Sequence, residues 1–346
     1  MISRRELFVS AMAASFADAA MAQSKSPKKM TLSIHQNTSR AAGYRKSLEG
    51  WAKAGIKFVE ITDVLLDEFL KTDTIAAAKR VVTDLGLTPV SSAAVLPDIW
   101  ITGDARAASL DTWKRRCEQF STIGLEKIYC PSITNRRVTA EDFKATPGCI
   151  REVGDIAKQF NLTAMIEFAR TSTHLSTLRS SLTVIREAAH TNVRPMLDFF
   201  HFWSGMSKFE DLDMIRPGEI AHVHFQDILD TPRELIDNNG RVIPGDGNAP
   251  VVAILKKLAE KQYSGPLSVE LFLMELQQGD PYEVAARIKQ KCEAVMRKAG
   301  VLEGDACVAP YFGGSAIVMT RPEMSSPPTG TPFETSWLPR RAEPSV

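Results

Sequence analysis

The sequence shows almost no excess of either charge. It has 42 Lys and Arg residues against 41 Asp and Glu, which gives a formal net charge of +1. Proteins whose main partner is nucleic acid or an anionic membrane surface carry a basic excess, because they must neutralise phosphate groups. The balanced charge therefore argues against both classes as the main partner.

Cysteine patterns typical of small metal or redox modules are absent as well. The chain has five cysteines and no C-x-x-C pair. Zinc ribbons and thioredoxin-like redox motifs depend on that spacing, so neither is expected. An odd number of cysteines leaves at least one thiol unpaired, and nothing in their spacing demands a disulfide.

A long apolar run is also missing, and the first 23 residues instead resemble an export signal. Arg4 and Arg5 precede an Ala-rich stretch that ends in the A-x-A pattern of Ala20 to Ala22. This order is typical of a twin-arginine signal peptide, and the apolar stretch is too short for a comfortable membrane span. We expect export to the bacterial periplasm, with residues 1–23 removed and no stable insertion in the membrane.

The last part of the chain differs in composition. Residues 301–346 contain seven of the 19 prolines, many Ser and Thr, and no hydrophobic periodicity. Such a composition cannot bury enough apolar surface to order a chain. We therefore expect an irregular or disordered tail after one folded domain.

Short apolar strands alternate with amphipathic helical patterns over residues 30–298. The predicted strands lie near 30–35, 57–61, 88–92, 126–130, 162–166, 193–198, 220–224 and 266–270. Eight such units predict a (β/α)8 barrel, the TIM barrel of the α/β class, as a single domain. The doubly wound alternative usually places a G-x-G-x-x-G loop after the first strand, and that motif is absent here.

Residues at the ends of the predicted helices support these boundaries. Thr139 with Asp142 three residues later predicts a helix N-cap. Gly86, Gly124 and Gly265 each lie between a helix and the next strand, where a C-cap glycine is expected.

Strands five to eight each end on a residue that can bind a metal. These residues are Glu167, Asp198, His224 and Glu270. Barrel enzymes carry their chemistry at the carboxyl ends of the strands, so the four side chains should meet at one side of the barrel mouth. Three carboxylates and one imidazole form a mostly hard ligand set. We predict one divalent ion, with Mn²⁺ favoured and Mg²⁺, Co²⁺ and Zn²⁺ as alternatives.

Several motifs over residues 30–298 together resemble the xylose isomerase-like barrel superfamily, in the branch of ketose 3-epimerases, hydroxypyruvate isomerases and inosose dehydratases. The matching segments are Gly55-Ile-Lys-Phe-Val-Glu60, Ala164-Met-Ile-Glu167, Leu197-Asp198-Phe-Phe-His201, Ile220-Ala-His222-Val-His224-Phe-Gln-Asp227, Pro244-Gly-Asp-Gly-Asn248 and Ser268-Val-Glu270-Leu-Phe. Their order is characteristic of the superfamily and says less about the reaction.

The resemblance implies roles for particular residues. Glu167 and Glu270 would bind the metal together with Asp198 and His224, and would also exchange a proton on the two faces of the substrate carbon. His201 would contact a substrate hydroxyl, and Arg233 is the nearest match to an Arg that the epimerases carry after strand seven. The remaining predicted substrate contacts are His222 near the metal, His35 and Glu60 on the opposite rim, and Trp100 and Trp203, which would stack on a sugar or pack in the protein.

These observations lead to a divalent-metal-dependent isomerase or epimerase that acts through an enediolate on a keto sugar or a related polyol-derived compound. A lyase or dehydratase for 3-keto sugars or keto-glycosides is the alternative, since it begins with the same α-proton abstraction. An abasic-site endonuclease of a related branch needs many histidines, and the chain has six. A sugar-binding protein without catalysis is a further alternative. Because many members of the family form dimers or tetramers, a homo-oligomer is also an alternative.

Overall fold

The computed structural model describes residues 29–302. The predicted signal peptide and all of the predicted tail beyond Leu302 lie outside this range. Among the described residues, no helix is both long and apolar enough to cross a membrane.

Eight parallel strands form a nearly closed barrel, which confirms the predicted fold. The order around the sheet is β3-β2-β1-β10-β7-β6-β5-β4. A bridge between Ala93 and Tyr129 brings the two outer strands together. The barrel strands are β1 Thr31–His35, β2 Phe58–Ile61, β3 Thr88–Ser92, β4 Lys127–Pro131, β5 Thr163–Glu167, β6 Val193–Asp198, β7 His222–His224 and β10 Pro266–Val269.

Helices follow the strands and cover the outside of the barrel. They are α1 Gly43–Lys53, α2 Asp63–Leu70, α3 Ile75–Asp84, α4 Arg106–Ile123, α5 Ala140–Gln159, α6 Leu178–Ala188, α7 Phe199–Ser204, α8 Val251–Glu260, α9 Met274–Gln277 and α10 Pro281–Ala299. Short 3₁₀ helices span Gln36–Ala42, Phe209–Met214, Arg233–Leu235 and Asn238–Gly240. The segment between β7 and α8, called here the excursion after β7, leaves the barrel. It contains a two-stranded antiparallel hairpin, β8 Asp227–Ile228 and β9 Arg241–Val242.

Most of the predicted helix ends are confirmed. Thr139 and Asp142 form a reciprocal capping box at the start of α5. Gly86 and Gly124 have φ of +64° and +104°, the left-handed conformation in which glycine is favoured. The prediction for Gly265 is wrong, because Gln262 takes the left-handed position after α8 with φ +62°.

Two glycines in α5, Gly148 and Gly154, differ in how much space surrounds them. A Cβ on Gly154 would lie 2.5 Å from His190 Nδ1 and 2.6 Å from Val193 Cγ2, so the helix can approach the next unit closely only without a side chain here. A Cβ on Gly148 would meet nothing nearer than 3.9 Å, and this residue is exposed.

We predict that Gly154→Ala destabilises the protein by about 1–3 kcal/mol, because overpacking displaces neighbouring groups. Gly148→Ala is the matched control in the same helix, and it should stabilise by about 0.5–1 kcal/mol through its better helix propensity. Denaturant unfolding of both variants measures the difference. Equal effects in the two variants would contradict the packing argument.

Candidate metal centre

The four predicted ligands lie together at the carboxyl ends of their strands. One ligand atom from each of Glu167, Asp198, His224 and Glu270 lies within 4.8 Å of all the others. His224 Nδ1 is 3.1 Å from Glu167 Oε1, 3.2 Å from Asp198 Oδ2 and 3.5 Å from Glu270 Oε2. The shared site that the strand ends suggested is therefore present in the fold, and its occupation by a metal remains a prediction.

Strand register explains why the side chains meet. Asp198 and His224 are direct partners in the parallel pair of β6 and β7, and His224 is also the partner of Ser268 on β10. Glu270 is the second residue after Ser268, so its side chain has the same orientation one step nearer the barrel mouth. The alternation of side chains along β7 likewise points both His222 and His224 into the barrel.

Glu60 lies behind His224 and not on the opposite rim as predicted. It is fully buried, with Oε1 3.2 Å from His224 Nε2 and Oε2 2.9 Å from His222 Nε2. His222 is fully buried as well, one layer deeper in the barrel. A carboxylate on the far nitrogen of a ligating histidine fixes the orientation of the ring. The structure therefore gives Glu60 the position of a residue that aims His224 Nδ1 at the other three carboxylates.

His35 lies beside the four-residue group, next to a tyrosine that the sequence analysis missed. The backbone N–H of Asn37 donates to His35 Nδ1 over 3.2 Å. Burial lowers the pKa of His35. Nε2 is 3.2 Å from Tyr129 Oη and 3.7 Å from Glu270 Oε1.

Arg241, and not Arg233, is the arginine that reaches the site. Arg241 Nη1 lies 2.7 Å from Asp198 Oδ2 and 2.6 Å from Glu270 Oε2, and Nη2 lies 3.2 Å from His201 Nε2. Arg233 is exposed and donates to the carbonyl oxygen of Gly205. The sequence prediction took the arginine nearest to His224 along the chain. It did not foresee that the hairpin returns the chain to the barrel mouth.

The hairpin that carries Arg241 is fixed at both ends. The buried Asp227 carboxylate accepts hydrogen bonds from the backbone N–H groups of Gly245 and Ala249, over 3.0 and 2.9 Å. The guanidinium lies over the rings of Phe200 and Phe272, 4.4 and 5.0 Å from their centroids. Arg241 is therefore held in place before any ligand arrives. The Asp227 carboxylate therefore also anchors the Gly245-Asp-Gly247 turn, which has a structural role.

The two tryptophans differ in their surroundings. Trp100 is 2% exposed, packs edge-on against Trp113 and donates from Nε1 to the carbonyl oxygen of Cys130 over 3.0 Å. Of the two roles predicted for Trp100, the structure supports packing, since no sugar can reach it. Trp203 is half-buried, and the Arg233 guanidinium lies 5.8 Å from its ring centroid.

The site concentrates negative charge in a buried position. Glu60, Glu167, Asp198 and Glu270 are each at most 7% exposed, and Arg241 is the guanidinium in contact with them. Burial raises the pKa of Glu167 to about 7. Burial also opposes the charged form of Asp198, but Arg241 and His201 hold its pKa well below the usual range. For His224 burial is outweighed by Glu60 and Glu270, which raise its pKa well above the usual value.

This charge distribution fits a divalent cation. Ionised carboxylates are costly to bury unless they are paired or coordinate a metal. A metal requires the neutral form of His224, and in that form one guanidinium does not balance four carboxylates. An added charge of +2 among Glu167, Asp198, His224 and Glu270 would then offset most of the excess. Three oxygen ligands and one nitrogen suit Mn²⁺ or Mg²⁺ and also allow Zn²⁺.

The fold and the site define the class of (β/α)8 barrel proteins that carry an acidic, histidine-containing site at the strand ends. Comparison with known proteins identifies the family within this class. Residues 48–295 match the family model described as xylose isomerase-like TIM barrel. The chain belongs to this family, as its motifs suggested.

Known proteins that are similar to this chain in sequence or in fold include an isomerase and an epimerase. The chain is 25% identical over 265 residues to the inosose isomerase of Halalkalibacterium halodurans, covering 75% of this chain and 93% of that protein. The solved structure of the IOLI protein with a bound zinc atom has a TM-score of 0.73 at 24% identity, covering 78% of this chain and 99% of that one. The structure of L-ribulose 3-epimerase has a TM-score of 0.61 at 20% identity, covering 78% and 97%.

We predict that Mn²⁺ at about 100 times its Kd raises the free energy of unfolding by about 2.7 kcal/mol, because it binds the folded state alone. Asp198→Asn should weaken this binding by at least about tenfold to a hundredfold, since loss of a supporting group alone costs that much. Asp213→Asn, on an exposed carboxylate paired with Lys257, is the control. Calorimetric titration with Mn²⁺, Mg²⁺ and Zn²⁺ measures the affinities. An Asp198→Asn variant with unchanged affinity for all three ions would contradict the assignment.

Proposed function

We propose that the protein is a divalent-metal-dependent isomerase or epimerase that acts through an enediolate on a keto sugar or a related polyol-derived compound. The observation that carries this proposal is the buried group of Glu167, Asp198, His224 and Glu270 at the barrel mouth. Membership of the family and the inosose isomerase relatives support the reaction class. We propose Mn²⁺ as the metal, with Zn²⁺ as the main competitor because of the zinc atom in the IOLI structure.

Different residues of the site would supply different parts of the proposed reaction. A divalent ion held by the four-residue group would bind the sugar oxygens and acidify the proton on the carbon beside the carbonyl. Glu167 and Glu270 come from different strands, β5 and the end of β10, and each can take or return that proton. Arg241 presents a fixed positive charge that stabilises negative charge developing on a sugar oxygen. His201 Nε2 lies 3.2 Å from Arg241 Nη2 and Nδ1 accepts from the backbone N–H of Arg170, so a substrate hydroxyl would have to replace one of these contacts.

A lyase or dehydratase is the second candidate. It would use the same carboxylates for α-proton abstraction and then lose a group from the next carbon. The 3-dehydroshikimate dehydratase of Bacillus anthracis supports this alternative, with 34% identity over 80 residues, which cover 23% of this chain and 28% of that protein. Release of water or of an aglycone distinguishes this outcome from isomerisation.

We predict that Glu167→Gln and Glu270→Gln each lower turnover by at least about a hundredfold at saturating Mn²⁺, because an amide cannot transfer the proton. The measurement is deuterium uptake from D₂O by candidate ketoses and keto-glycosides, followed by NMR together with product analysis. Glu141→Gln, on an exposed carboxylate, is the control and should keep full activity. Unfolding curves like those of the wild type confirm that the fold is intact. Wild-type exchange in both glutamine variants would refute the proton-transfer role.

We also propose that the protein is exported to the periplasm by the twin-arginine route. The support is the sequence pattern from Arg4 to Ala22, which lies outside the described residues. Replacement of both Arg4 and Arg5 by Lys should retain the protein in the cytoplasm, because the pair is the recognised part of such a signal. Cell fractionation measures the distribution, with Arg45→Lys as the control. Unchanged distribution in the double variant would contradict this route.

A further inference from the structure

A cavity of about 190 Å³ opens beside the metal centre and changes character along its length. Its inner end is polar and is formed by Glu270, His35 and Tyr129. Tyr129 Oη lies 3.2 Å from His35 Nε2, so a hydroxyl and an imidazole lie together at this end. Val64 and Val95, which follow strands β2 and β3, line the solvent side of the cavity together with the exposed Arg40.

These two valines are exposed although they are held in fixed positions. Val64 is 51% exposed and Val95 is 52% exposed. Both are tied to the same carboxylate, because Asp63 Oδ1 accepts from Val64 N over 2.8 Å and Asp63 Oδ2 accepts from Val95 N over 3.4 Å. Asp63 is itself buried, so one carboxylate anchors the start of α2 and the segment after β3, and both valines line the same cavity.

An apolar wall at this place is poorly suited to a free sugar. A hydroxyl placed against it loses hydrogen bonds to water without gaining new ones, which is costly. An apolar group gains free energy in proportion to the surface it buries there. The cavity is smaller than the roughly 300 Å³ of the smallest typical ligand pockets, so it encloses about one ring, and a second ring would lie at its open side against the half-exposed Val64 and Val95.

We propose that the substrate carries an apolar group of about one ring attached to its keto sugar, and that this group binds between Val64 and Val95. The sugar then lies toward Glu270 and the metal ligands, and the attached group points out of the barrel mouth. This inference rests on the proposed function, and it specifies the substrate class as a keto-glycoside with an apolar aglycone.

The test compares phenyl and methyl 3-keto-β-glucosides, which share one sugar and differ only in the attached group. We expect the wild type to bind the phenyl compound at least about tenfold more tightly, within the range that apolar pockets achieve. In the double variant Val64→Thr with Val95→Thr the preference should fall about threefold to tenfold while the affinity for the methyl compound stays unchanged. Threonine keeps the shape of valine, so a loss reports polarity and not misfolding. Leu235→Thr is the control, since Leu235 is 73% exposed and does not line the cavity.

Calorimetric binding and deuterium uptake are measured together, so that the two proposals can fail separately. Equal affinity for the two glucosides, no binding of either, or a preference unaffected by the double variant overturns the aglycone site. A dimer in sedimentation that dissociates in the double variant also overturns it, because the valines would then form a subunit interface. A clear phenyl preference without deuterium uptake by any keto compound keeps the aglycone site and rejects the proposed reaction.

Discussion

The arrangement of this site depends on the ring of His224, which has carboxylates on both sides. Glu60 lies at Nε2, and Glu167, Asp198 and Glu270 lie around Nδ1. Burying so many acidic groups is unfavourable unless positive charge is nearby. Arg241 supplies one positive charge, and the neighbouring carboxylates raise the pKa of His224, which favours its charged form. The same side chains also form a ligand set that suits a divalent ion. The interior of the barrel is thereby organised around charge compensation at one histidine.

The excursion after β7 shows how a loop completes a site built on strands. Barrel strands place the four ligands with the precision of a regular sheet, but they cannot supply a cation at the open mouth. The hairpin of β8 and β9 does so, because Asp227 pins both of its ends and Phe200 and Phe272 hold the guanidinium between them. Arg241 then bridges Asp198 and Glu270, two of the three carboxylates that lie around His224 Nδ1.

Polarity changes outward from this centre in an ordered way. Buried charges lie deepest, His35 and the Tyr129 hydroxyl come next, and the exposed Val64 and Val95 lie on the solvent side of the cavity. A molecule with several oxygens at one end and an apolar group at the other matches this gradient.

The barrel and the grouping of Glu167, Asp198, His224 and Glu270 could be predicted from the chain because both follow from local periodicity. Short apolar runs give the strands, and a charged residue at the end of a run marks the catalytic side of a parallel barrel. Glu60, Tyr129, Trp100 and Arg241 could not be assigned in this way. Their positions depend on distances across the barrel, and for Arg241 on a hairpin that returns the chain to the mouth. Such distances arise when the strands close into a barrel and bring side chains far apart in sequence within a few ångströms, and no local pattern of residues encodes them.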